Sequence, residues 1–200
     1  MALLNCLPLR RVLRLGRSGL FAGLILAAGV PLARPAEPPA ATELSAEYRV
    51  KAGFLFNFPQ FIDWPAPAFG DATSPIVIGI LGEDPFGRYL DELVHDEKVG
   101  GRPLVLRRFQ RLEDLGTCQI LFVSRSESDR YEQILSSLRR RSILTVGEEE
   151  EFERAGGMVR FVIENNKVRL RINDDAAKAG GLTVSSKLLR LATLVKLPKG

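Results

Sequence analysis

One histidine and two cysteines are all that 200 residues hold of the usual transition-metal ligands. A closed zinc site draws four ligands mainly from those two residue types, so no sequence-spaced zinc site exists here. His95, in "LVHDEK" at the end of a helical pattern, lies among charges and reads as a solvated loop residue, with a general base as the alternative. Ser124, Ser126, Ser185, Ser186 and Lys187 hold the residue types of a serine-lysine hydrolase, but neither the Gly-x-Ser-x-Gly elbow nor the Ser-x-x-Lys spacing is present. The glycine-bearing stretch "GILGEDPFG" is neither Gly-x-Gly-x-x-Gly nor a P-loop, because its spacing differs and no Lys-Ser or Lys-Thr pair follows.

Long hydrophobic runs are also missing. The longest, "LFAGLILAAGVPLA", has fourteen residues, against the roughly 20 that a membrane-spanning helix needs. Arg10, Arg11, Arg14 and Arg17 precede it, it ends in small residues, and "RPAEPPAA" follows. That is the order of a secretory signal, which places residues 1–33 as a cleaved signal peptide and 34–42 as a Pro/Ala linker. The net charge of +4 is carried by those four arginines, so the exported chain is near neutral. A nucleic-acid partner, which would need a surviving basic face, is therefore not expected. Export would also leave Cys118 as the single cysteine, without an internal disulfide partner. It opens the apolar run "CQILFVS" and reads as a core thiol, with an intermolecular bond or a redox role as the alternative.

The remainder, about 43–197, is one folded unit of helices alternating with short apolar strands. Apolar residues from Leu44 to Ile62 recur at helical spacing until Pro59 ends or kinks the helix. Strands are expected at 76–81, 103–109, 119–124 and 142–147. Helices are expected from Asp84, as N-cap, with Phe86, Leu90, Leu93 and Val94 inward, and over 128–141 with Tyr131, Ile134, Leu135 and Leu138 inward. The alternation predicts an α/β fold with a largely parallel sheet flanked by helices. "MVRFVIENNKVRLRIN" alternates with period two around Asn165-Asn166 and predicts a C-terminal β-hairpin. "VSSKLLRLATLV" predicts a closing helix over 184–195 that packs Leu188, Leu191 and Leu194 or Val195 on the sheet.

In a parallel sheet the loops after the strand C-termini form the common ligand crevice. Gly82, Asp84, Ser124, Ser126 and Gly147 would line one edge of it, or "GILGEDPFG" simply turns a strand into a helix. Acidic pairs at Asp174-Asp175 and along Glu148 to Glu151 read as helix starts, and "RRR" at 139–141 as a helix end or an acceptor for an anionic partner. Aromatic residues crowd the first helix and its exit. Phe54, Phe56, Phe58 and Trp64 are candidates for a partner surface, and Phe56 falls off the face that Phe54, Phe58 and Phe61 define.

In order and spacing, "EYRVKAGFLFNFPQFIDWP", "IVIGILGEDPFG", "CQILFVS" and "ILTVGEEEEFERAGGMVRFVIENNKVRLRIN" leading into "LTVSSKLLRLA" resemble the YfiR family of periplasmic proteins, from about Glu47 to Ala192. The resemblance implies an α/β fold, a homodimer and a non-enzymatic regulator without metal or cofactor. Such a regulator holds the periplasmic part of an inner-membrane diguanylate cyclase, or another membrane sensor, inactive and so governs cyclic di-GMP and biofilm formation. Disulfide control within one chain, known for some members of the family, is not open to a lone Cys118, whereas a Cys118-linked dimer is. A periplasmic small-ligand sensor using the crevice edge is the alternative.

Overall fold

A computed structural model describes residues 44–196; the expected signal peptide and linker lie outside the described residues. Helix α1 (Ala46–Asn57) starts where the Ser45 hydroxyl accepts the Tyr48 N–H and carries Glu47 in its first turn. Pro59 cannot donate to an α-helical ladder, and the chain tightens there into a 3-10 turn over Phe58–Gln60. Strand β1 (Ile62–Asp63) follows, then β2 (Ile76–Leu81), which is buried along its whole length. Next come α2 (Arg88–Val94), β3 (Lys98–Val99), β4 (Arg102–Phe109) and β5 (Ile120–Val123). A 3-10 turn over Arg125–Arg130 leads into α3 (Tyr131–Leu138), followed by β6 (Leu144–Gly147) and α4 (Glu150–Arg154). The chain ends in β7 (Val159–Glu164), β8 (Lys167–Ile172), α5 (Asp174–Ala179), β9 (Thr183–Val184), α6 (Ser186–Leu189) and β10 (Ala192–Leu194).

Eight of these strands form one sheet in the order β10-β8-β7-β6-β5-β2-β4-β3. From β4 to β7 every neighbouring pair is parallel, whereas β7 and β8 form the antiparallel hairpin that the alternating sequence predicts. Asn165 and Asn166 both take positive φ, 51° and 57°, at its two-residue turn, the backbone of a type I′ hairpin whose twist matches the strands.

Alternation along the central strands splits the core in two. Ile78 and Ile80, Ile120 and Phe122, and Leu144 and Val146 pack on the face covered by α1 and α2. Val77 and Leu81 with Leu121 and Val123 face α3, where Tyr131, Ile134, Leu135 and Leu138 are buried as the helical spacing requires. The small antiparallel pair β1–β9 joins the start of the domain to its end, and the Ser185 N–H donates to the Phe61 carbonyl beside it.

Two local expectations need correction. Asp84 does not cap α2: its carboxylate accepts the Phe86 N–H at 2.7 Å inside the preceding turn, and the helix begins only after Gly87. The closing helix is one turn long. After Leu189 the chain extends, and Ala192, Thr193 and Leu194 pair in parallel with Leu170, Arg171 and Ile172 of β8. Leu188 is buried as expected, but Leu191 and Leu194 are 68 % and 56 % exposed. Helical spacing is outweighed here by the open edge of β8, whose unpaired backbone groups offer a ladder to any nearby extended segment.

Candidate functional site

The C-terminal ends of the parallel strands carry a buried ionic cluster that the crevice residues only border. On the inward stripe of α1, between Tyr48 and Leu55, stands Lys51. Its ammonium bonds both the Glu148 carboxylate, which follows β6 directly, and that of Glu47 one turn back on α1. The Lys51 and Glu148 side chains are each 2 % exposed. Lys51 Nζ also lies 4.5 Å above the centre of the Tyr48 ring. The Tyr48 hydroxyl donates to Glu148 Oε2 at 3.3 Å. Arg125, just past β5, brings Nε to 3.3 Å from Glu148 Oε2 and to 2.7 Å from Glu149 Oε1. Burial, and next the Glu148 charge, hold the Tyr48 phenol above its ordinary pKa, partly offset by Arg125.

This arrangement ties α1 to the ends of β5 and β6 through two cations set among three carboxylates. Each Glu148 oxygen has a partner, and the lysine is engaged by two carboxylates and a ring. Such a cluster fixes a geometry rather than presenting a nucleophile beside a base. A second knot works the same way on α4: Glu153 accepts two bonds from Arg171 at 2.8 and 3.1 Å and lies 3.1 Å from Arg160 Nε, clamping α4 onto β7 and β8.

The expected crevice edge is committed to internal bonds. Gly82, at φ +88°, turns the chain so closely against the loop after β5 that an added Cβ would lie 2.3 Å from Ser126 Oγ. The Glu83 N–H donates to that hydroxyl at 2.9 Å, and the Ser126 N–H to Ser124 Oγ at 3.4 Å. Gly82, Ser124 and Ser126 thus meet. Asp84 turns toward β4 and accepts Arg108 Nε at 2.7 Å, while Arg108 also pairs with Asp91. Gly147 faces the Phe152 ring, which fills the space that a side chain there would need. "GILGEDPFG" runs from the end of β2 through the turn that leads into α2.

Of the aromatic candidates, Phe58 is corrected: at 1 % exposure it belongs to the core, stacked against Phe161, because it keeps helical backbone angles and continues the buried stripe of Lys51 and Leu55. Phe54, Phe56 and Trp64 are half-buried against the same core, and the Trp64 indole N–H donates to the Gln119 carbonyl at 3.2 Å. Among the described residues the exposed large apolar ones are others: Val50, Ile163, Leu191 and Leu194. Glu148 is likewise corrected from a helix-start acid to a buried ion-pair partner, whereas Glu150 and Glu151 do stand in the first turn of α4 and Asp174 and Asp175 in that of α5. His95 is exposed beside Asp96. Arg141 donates to the Leu115 and Gly116 carbonyls. Among the described residues no three His, Cys, Asp or Glu side chains gather as a metal-holding group, and no helix is long and apolar enough to cross a membrane.

Cys118 is 4 % exposed. Burial pushes its thiol up to about 12, so almost no thiolate exists at neutral pH, and a Cys118-linked dimer would require this segment to open. In a Cys6→Ser variant, the native protein is expected to leave a disulfide reagent such as dithiobis(nitrobenzoate) unreacted at pH 8, and to react with one equivalent once unfolded. In the unfolded chain this thiol ionises near its ordinary value of about 8.5. The folded state thus retains a proton that the unfolded state loses. Stability should fall as pH rises from about 9 toward 12, less steeply in Cys118→Ala. Rapid labelling of the native thiol at pH 8 would contradict this.

No curated relative matches the chain. A family model described as YfiR/HmsC-like matches residues 48–193, from the tyrosine of the ionic cluster to the middle of the last strand. With nearly every described element inside that match, including most of α1, Glu148 and the β7–β8 hairpin, the chain belongs to the YfiR/HmsC-like family.

Proposed function

We propose that this protein is a periplasmic, non-enzymatic regulator that binds the periplasmic part of an inner-membrane signalling protein, a diguanylate cyclase, and holds it inactive. The observation that carries this reading is the family match across residues 48–193. The chemistry of the strand ends agrees with it, because the buried Lys51 and Glu148 there are paired with each other and the exposed Arg125 pairs with Glu148 as well. In this reading residues 1–33 direct export, 34–42 are a linker, and the folded domain works as a homodimer in the control of cyclic di-GMP and biofilm formation.

The test is cellular cyclic di-GMP in a strain lacking the gene, complemented with the exported protein or with one lacking residues 1–33. Deletion should raise cyclic di-GMP, and only the exported form should restore it. An unchanged level on deletion would refute repression of a cyclase, and rescue by the form without residues 1–33 would refute a periplasmic site of action.

A further inference from the structure

The last strand leaves the sheet open. Among the described residues β10 has β8 on one side and no strand on the other. The Val195 N–H donates to the Ile172 carbonyl at 2.9 Å. Backbone groups alternate along a strand, so those of Ala192 and Leu194 point away from β8, toward the free edge. Leu194 lies beside Ile172 in the ladder and therefore on the face of the α1 core, but it is 56 % exposed, and Leu191 just before the strand is 68 % exposed. A row of free donors and acceptors flanked by uncovered leucines is a template for one more strand, of the kind proteins usually blunt.

The charge around this edge selects the occupant. Lys187, Arg190 and Lys196 are all exposed, and no acidic residue occurs from Ser185 to Lys196. A second copy pairing antiparallel about Thr193 would set Arg190 opposite Lys196, and like charges directly opposite are destabilising. An extended segment with apolar residues on one face and carboxylates on the other would complete the ladder, cover Leu194 and neutralise the lysines and arginine.

We propose that the free edge of β10 is a docking edge that takes an acidic, extended segment of a partner protein as an added strand. This rests on the reading that the protein works by binding another protein, and it gives that partner a place and a chemistry.

The probe is a fluorescent nonapeptide of alternating valine and glutamate, compared with one of valine and lysine, titrated into the purified protein. The glutamate peptide should bind at least tenfold more tightly and should slow hydrogen exchange at the Ala192 and Leu194 amides. Leu194→Lys changes an exposed side chain and should weaken binding at least tenfold with the far-ultraviolet circular dichroism unchanged. Leu194→Pro, which removes the outward N–H, should do the same. Equal affinity for the two peptides, or unaltered binding by Leu194→Lys, would overturn the proposal. A concentration-dependent dimer in sedimentation that Leu194→Lys abolishes would also overturn it, by assigning the edge to a second copy. Peptide binding that survives while deletion leaves cyclic di-GMP unchanged would refute cyclase repression alone; the reverse pattern would refute the edge alone.

Discussion

Replacing Lys51 by methionine is expected to lower the unfolding free energy by about 3 kcal/mol, the low end of the range for removing one partner of a buried ion pair. The cost arises at Glu148 rather than at the site of the change. Its side chain is 2 % exposed, and losing the ammonium leaves Oε1 in the interior without a cation. Arg125 limits the damage because it sits 3.3 Å from the other oxygen, but its own side chain is 58 % exposed and its charge is shared with Glu149. Methionine preserves most of the stem packing between Tyr48 and Leu55, so the change isolates the charge. The diagnostic comparison is the double variant Lys51→Met/Glu148→Leu. Removing both charges eliminates the stranded carboxylate, and the double variant should recover most of what the single one loses. Urea unfolding followed by circular dichroism measures all three. A loss under about 1 kcal/mol in Lys51→Met would show that Glu148 is solvated or held well enough without it.

A loss of comparable size is expected at Phe152, whose ring is completely buried and lies between two glycines. A Cβ on Gly157 would stand 2.1 Å from Phe152 Cε1, and one on Gly147 2.5 Å from Cγ. On its other side the ring meets Tyr131 edge-on, with centroids 5.5 Å apart, so it has nowhere to move. Phe152→Ala should cost about 3–5 kcal/mol through the cavity that it opens. Gly157→Ala should cost about 1–3 kcal/mol or more by overpacking. Because both act through one ring, their effects should not add: in the Phe152→Leu background the penalty of Gly157→Ala should shrink markedly. An undiminished penalty would place its origin in the backbone of the turn. Both predictions concern the same corner of the fold, since α4 follows directly from Glu148 and Glu149, and a displaced ring would disturb the ion cluster too.

Much of the architecture was legible because it depends on short-range periodicity. Runs such as "IVIGIL" and "ILFV" are apolar throughout, as strands covered on both faces must be, and both lie inside the parallel part of the sheet. The hairpin was legible from period-two alternation meeting two asparagines that tolerate positive φ. The site was much less so. A lysine on the apolar stripe of α1 is the local signal of it, and its meaning lies 97 positions away in Glu148. Asp84 had the right position for a cap, but its carboxylate is held inside the turn by the Phe86 N–H and by Arg108 from β4.

The sequence by itself determined the α/β class, the strands of the parallel core, the hairpin and the end of α1 at Pro59, since each follows from the spacing of apolar residues or from a backbone group that one residue lacks. Only the tertiary structure decided that Lys51 is buried, that Phe58 is core and that the segment after Leu189 is a strand. Burying a charge is favourable only where an opposite charge arrives from elsewhere in the chain. A short segment with helical spacing becomes a strand when a neighbouring strand offers unpaired backbone groups along its edge, and no local pattern contains that neighbour.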